Sequence, residues 1–207
     1  MNLRMRYRCA KLALAEGDRN VRIGRSTNWA ATGVLVALGL AAADPAAAQI
    51  TFGPITFGSP GDPPRIAIGS GVFDVIPNGG KPGSGRTGLA LGEYRFGDVL
   101  SIISPFVGTY GTGKGAFYGY GGFGFDIHFF ERFIATPSAA VGYFEPGTGI
   151  NLGAHTEFRE GAEFDYRFDN LNRLGVGLYH TSNAGIGKQN PGAEFVTVIL
   201  TMPLPFR

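Results

Sequence analysis

The run Ala116-Phe117-Tyr118-Gly119-Tyr120-Gly121-Gly122-Phe123-Gly124-Phe125-Asp126-Ile127-His128-Phe129-Phe130 alternates with a period of two. Phe117, Phe123, Phe125, Ile127 and Phe129 share one parity, while Tyr118, Tyr120, Gly122, Gly124, Asp126 and His128 share the other. A β-strand turns successive side chains to opposite faces, so this run has one large apolar face and one mixed face of small, aromatic and polar groups. Apolar-out and polar-in is the pattern of a strand in a membrane barrel, where one face meets lipid and the other a narrow lumen.

Leu152–Phe168 repeats the pattern. Ala154, Phe158, Ala162 and Phe164 lie on the apolar parity, and His155, Glu157, Arg159, Glu163, Asp165 and Arg167 occupy the other. Those charges would be costly against lipid, so they are expected in the lumen as a mutually paired network. Further strands are expected at Arg65–Ile76, Thr87–Phe96, Leu100–Tyr110, Phe133–Phe144, Leu174–Ser182 and Ala193–Pro203, with turn signals between them. Thr87–Phe96 mixes Glu93 and Arg95 with the Leu89/Leu91 parity, and Pro137 is expected to mark a bulge. The connections are read as alternating, short at one end (Gly97-Asp98, Glu131-Arg132, Asp169–Arg173) and mostly longer at the other. That is the habit of an outer-membrane barrel with both chain ends in the periplasm. The fold class is therefore all-β, an antiparallel transmembrane outer-membrane barrel of about eight strands, a size filled by its own side chains. Beyond the first fifty residues the only Trp (Trp29) is already past, so an interfacial aromatic girdle would draw on Tyr94, Tyr110, Tyr143, Phe144 and Tyr179. Phe206 stands next to last, before Arg207, where such barrels usually end on an aromatic.

The chain divides into three parts. Residues 1–48 read as an export signal with a long basic leading region. Trp29–Ala43 is apolar but too short to span a membrane comfortably, and Ala46-Ala47-Ala48 offers a small-residue cleavage site. Residues 49–64 form a Gly/Pro-rich arm, with a short strand expected within Ile50–Phe57, and residues 65–207 form the barrel. The formal charge of +2 is misleading, because residues 1–48 hold seven of the eighteen basic residues and only three of the sixteen acids. The remainder is slightly acidic and gives no signal for nucleic acid. Cys9, the one cysteine, lies in the exported signal, so the mature chain is expected to have no disulfide or thiol chemistry.

At the end of the chain two of these strands carry chemistry. Leu174, Val176, Leu178, His180 and Ser182 share one face, and Glu194, Val196, Val198, Leu200 and Met202 share one face of the next strand. Antiparallel pairing across Asn183–Gly192 would bring His180 and Ser182 beside Glu194. These residues supply the three parts of an activated-serine hydrolase: Ser182 as nucleophile, His180 as base, Glu194 to hold the imidazole tautomer. If Val176 and Leu178 face lipid, so does this group. Leu174 to Ser182 rises about 26 Å along the strand, about 20 Å after tilting, against an apolar band about 25 Å tall. Ser182 then sits near the outer rim, where a polar group costs only about 0–1 kcal/mol. Asn183 and the backbone N–H of Gly185 are candidate donors to an oxyanion, and Asn190 and Gly192 are expected to shape the loop.

His180-Thr-Ser182-Asn183-Ala184-Gly185, followed by Asn190-Pro-Gly192-Ala-Glu194, resembles the lipid A 3-O-deacylase (PagL-like) family, whose motif is His-x-Ser-Asn-Ala-Gly, a short loop with Asn and Gly, then Glu. The resemblance is specific over about Leu174–Pro203 and looser over Phe133–Asp169. It implies an outer-membrane hydrolase that removes the ester-linked 3-hydroxyacyl chain at position 3 of lipid A, with lipopolysaccharide of the outer leaflet as substrate. It implies no metal and no cofactor. A homodimer stays open as a partner. The competing readings are a non-catalytic structural barrel and an outer-membrane phospholipase or general esterase using the same three residues. His128 and His155 sit at lumen parity beside acids and are read as structural. Gly119–Gly124 lacks the strand–loop–helix setting of a phosphate loop.

Overall fold

The computed structural model describes residues 50–58, 62–77, 80–97, 102–130 and 132–204. The expected export signal, Cys9 and Phe206 lie outside the described residues. The strands are β1 (Ile50–Phe52), β2 (Ile55–Phe57), β3 (Arg65–Phe73), β4 (Thr87–Arg95), β5 (Ser104–Thr112), β6 (Phe117–Gly124), β7 (Ile127–Phe129), β8 (Phe133–Glu145), β9 (Thr156–Arg167), β10 (Arg173–Ser182) and β11 (Ala193–Pro203). β3 to β6 and β8 to β11 form an antiparallel wall of eight strands, with β11 on β3 closing the circle. Closure leaves no unpaired edge, which is what allows strands to cross a bilayer. Among the described residues no helix is long and apolar enough to cross a membrane. The chain is an outer-membrane-type barrel.

The alternation read in Ala116–Phe130 holds as far as Phe129 and breaks at Phe130, which has a left-handed backbone and is exposed, and the strand is interrupted. β6 and β7 both pair with β8 in one register, and Phe125 and Asp126 fall between them. Opposite the gap stands Pro137. The Phe125 N–H donates to the Pro137 carbonyl at 3.2 Å, and proline has no N–H to return the bond. Pro137 therefore marks no bulge. Its pairing with Ala162 of β9 keeps an unbroken register, and its effect is a missing rung on the other side. The arm at 50–57 is a two-stranded hairpin, β1 on β2, attached to the barrel through β2 and β7.

Three other expectations change. Of the strand expected at Leu100–Tyr110, Leu100 and Ser101 lie outside the described residues, and β5 runs Ser104–Thr112, so more residues separate β4 from β5 than the four between β5 and β6 at the opposite end. The loop lengths thus alternate less cleanly than the turn signals imply. Leu152 is buried in the β8–β9 loop, and β9 starts at Thr156. Of the aromatics assigned to an interfacial girdle, Tyr110, Phe144 and Tyr179 point into the lumen, while Tyr143 is exposed.

The lumen has two zones. Toward the β10–β11 loop it is packed with aromatic and aliphatic groups, including Phe73, Tyr110, Tyr118, Phe144 and Phe195. Toward the other end it holds a charge network that takes in only part of the expected set, since the buried Glu157 and Asp165 carboxylates have no hydrogen-bond partner among the described residues. Arg95 donates to Glu93 and Glu163, Arg159 donates to Glu93 at 2.7 Å, and Arg173 bridges Asp126 and Asp62. Arg159 also lies 4.3 Å from the Tyr120 ring centroid and 4.6 Å from that of Tyr179, joining the zones by cation–π contact. The two zones explain the mixed parity of β4. Leu89 and Leu91 face the aromatic zone and Glu93 and Arg95 the charged one, all four from the inner face. Outside, Phe117, Phe123, Phe164, Val176, Leu178 and Val198 are exposed, forming the belt that lipid covers.

Candidate active site

His180 and Glu194 are directly opposed in the β10–β11 ladder. Both side chains point outward, each 37% exposed, and His180 Nδ1 lies 3.1 Å from Glu194 Oε1. That contact puts the proton on Nδ1 when the imidazole is neutral, leaving Nε2 as the basic nitrogen. Ser182 follows two residues along β10 on the same outward face, opposite Phe158 of β9. The two-residue offset separates the His180 and Ser182 backbones by about 6.6 Å. No His180–Ser182 hydrogen bond is formed among the described residues. The His–Glu half of the arrangement is made, and the serine stands beside it. Such contacts commonly tighten only when substrate binds.

Gly192 lies against the imidazole. A Cβ at this position would fall 2.6 Å from His180 Cε1 and 3.1 Å from Nε2, and the residue has φ +66°. Only glycine supplies both the left-handed backbone and the space. The loop residue assigned to shape therefore also sets where the ring sits.

The turn after Ser182 has Ala184 at φ 53° and Gly185 at φ 82°, with the Ile186 N–H donating to the Asn183 carbonyl at 3.1 Å. Two successive left-handed residues closed by that bond make a type I′ turn, and Asn183 begins it. Its side chain is wholly buried and fully used. Asn183 Nδ2 donates to the Leu152 carbonyl at 2.7 Å and the Gln189 carbonyl at 2.8 Å, and Oδ1 accepts from the Gly185 N–H at 2.9 Å. The Asn183 N–H donates to Asn190 Oδ1 at 3.0 Å. The donors considered for an oxyanion, the Asn183 amide and the Gly185 N–H, are thus committed to the loop. Asn183, Gly185 and Asn190 act here as its framework. Gly153 completes the joint, since a side chain there would strike the Gln189 carbonyl.

His128 is buried in the lumen as expected. His155 is not. Its ring turns outward over Tyr143, with centroids 5.0 Å apart and planes 3° from parallel, because it precedes the first rung of β9 and is not held to strand parity. Glu160 carries the opposite lesson. It sits on the outward parity of β9, exposed, directly across from His180 on the side away from Glu194. Its even number among Phe158, Ala162 and Phe164 was the available signal, and the charge-network reading of β9 passed over it. Among the described residues no group of three or more His, Cys, Asp or Glu is arranged to hold a metal.

A family model described as "Lipid A 3-O-deacylase (PagL)" matches residues 94–203, just over half of the chain. No curated protein matches. Among solved structures, the crystal structure of the outer membrane enzyme PagL is similar at 19% identity, covering 68% of this chain and 99% of that one with a TM-score of 0.47. A de novo designed transmembrane β-barrel is similar at 12% identity, covering 72% of this chain and all of that one, with a TM-score of 0.49. The matched segment runs from Tyr94 in β4 through β11, so it contains both strands that present the outward His180–Glu194 pair and the loop between them, and this chain belongs to the lipid A 3-O-deacylase (PagL) family.

Proposed function

We propose that the protein hydrolyses the ester joining the 3-hydroxyacyl chain to position 3 of lipid A, using Ser182, His180 and Glu194 at the outer rim of the barrel. The single observation that carries this is the 3.1 Å His180–Glu194 bond on the lipid-facing surface, with Ser182 on the same face. A structural barrel has no use for such a group in its apolar belt. The family match supports the substrate.

Ser182 Oγ attacks the acyl carbonyl carbon and its proton passes to His180 Nε2. Glu194 keeps the Nδ1–H in place and stabilises the imidazolium that forms. The tetrahedral intermediate collapses, breaking the bond to the sugar oxygen, which takes the proton from His180. Water then attacks the acyl-Ser182 ester with His180 again as base, releasing the hydroxy fatty acid and restoring the serine. The acyl chain leaves through the bilayer along Leu178 and Val196, which lie one rung below the pair. In this reading the β10–β11 loop faces the cell exterior, where lipid A occupies the outer leaflet, and residues 1–48 are removed on export. Ser182→Ala should abolish fatty-acid release from lipopolysaccharide while leaving a barrel that still shifts on heating in gels. Lipid A mass spectra that match for wild type and variant would refute it. Phospholipid vesicles lacking lipid A separate this activity from a general esterase.

A further inference from the structure

Glu160 is an ionisable side chain on the lipid-facing surface of β9, exposed and with no side-chain hydrogen bond or ion pair among the described residues. A carboxylate in an apolar belt is unfavourable, and the other outward carboxylate of this row, Glu194, has His180 as partner. The ladder fixes where Glu160 stands. Its rung reads Ala139, Glu160, His180 and Glu194 across four strands, and the rung toward the loop holds Val141, Phe158 and Ser182. Glu160 is thus diagonal to Ser182, at about 7–8 Å between backbones, one rung nearer the middle of the barrel. Its neighbours Ala139 and Ala162 are small, so space remains beside it on the outer face. An acyl chain bound with its carbonyl at Ser182 and its tail running toward Leu178 passes this carboxylate within its first few carbons.

From this placement we infer that Glu160 is a specificity residue that accepts a hydrogen bond from a hydroxyl on the acyl chain two carbons beyond the ester carbonyl. This rests on the proposed ester hydrolysis at Ser182. An ionised carboxylate accepts and cannot donate, so it matches a hydroxyl donor and leaves a plain methylene chain with an unpaired charge beside it. Sites that hydrogen-bond a substrate hydroxyl discriminate against the analogue lacking it. Exposure at the belt keeps the effect well below that of a buried pair.

The test uses two synthetic glucosamine esters in mixed micelles, one 3-hydroxytetradecanoyl and one tetradecanoyl, and the full-length refolded barrel. Wild type should prefer the hydroxylated ester by about tenfold or more in kcat/KM. In Glu160→Leu that ratio should fall to near one, and in Glu160→Gln, which retains an acceptor oxygen, most of it should remain. Leucine suits a lipid-facing strand, and heat modifiability in gels reports that the variant has folded. A ratio unchanged in Glu160→Leu, or no preference in wild type, overturns the assignment. Failure of the underlying hydrolysis reads differently: neither ester is cleaved by wild type, or both are still cleaved by Ser182→Ala, and Glu160 then loses its role with it.

Discussion

A single imidazole is held from three directions. Glu194 takes Nδ1, the strand sets the ring outward, and Gly192 bounds the other edge. Each restraint has its own expected signature. Glu194→Gln keeps the shape but allows the wrong tautomer, so kcat should fall by about 100-fold or more with KM little changed, measured as fatty-acid release from lipopolysaccharide. Gly192→Ala puts a methyl 2.6 Å from His180 Cε1 and on a left-handed backbone, so the ring must move. A displacement of about 1 Å costs about 100-fold in rate, and retention of full activity would show that the ring position is not critical. At this scale the sequence was informative about residue types and face, since parity alone set His180, Ser182 and Glu194 outward. It was not informative about the loop amide, because Asn183 is equally suited to an oxyanion and to a turn until its partners Leu152 and Gln189 are known.

The β10–β11 loop behaves as one element with the β8–β9 loop. Asn183 reaches from the first to the second, and Gly153 lets their backbones meet. Asn183→Ala removes these bonds and leaves buried carbonyls unpaired, at a cost of about 1–3 kcal/mol concentrated in the loop. Trypsin should then cut at exposed Lys188 much faster than in wild type, while the strand wall resists. Equal cleavage rates would mean the loop is held by other contacts. The strands themselves were legible because lipid outside and a filled lumen inside impose a strict period of two. Their ends were less so. His155 lies one residue before the β9 ladder and turns to Tyr143, and β5 runs on to Thr112, two residues past the expected end at Tyr110. Periodicity carries no information about where pairing stops.

Across the whole molecule, the Arg95, Arg159 and Arg173 guanidiniums in the lumen tie several strands together. Arg159 on β9 serves Glu93 on β4 while lying against Tyr120 on β6 and Tyr179 on β10. Arg159→Met leaves Glu93 with one cation, Arg95, and the Tyr120 hydroxyl in a water-poor interior, and removing one member of such a pair costs about 3 kcal/mol or more. The urea midpoint of the refolded barrel in detergent should fall accordingly, and Glu93→Leu added to Arg159→Met should recover part of the loss. An unchanged midpoint for the single variant would mean that water or Arg95 compensates. The sequence by itself determined the barrel, the strand count and the outward face of the His180–Ser182–Glu194 group, because alternation and chain order suffice when each strand pairs with a neighbour. The tertiary structure alone decided which strands close the circle, which aromatics fill the lumen, and that Glu160 stands across from His180. Those depend on register between strands, and register is a property of the pairing rather than of either strand.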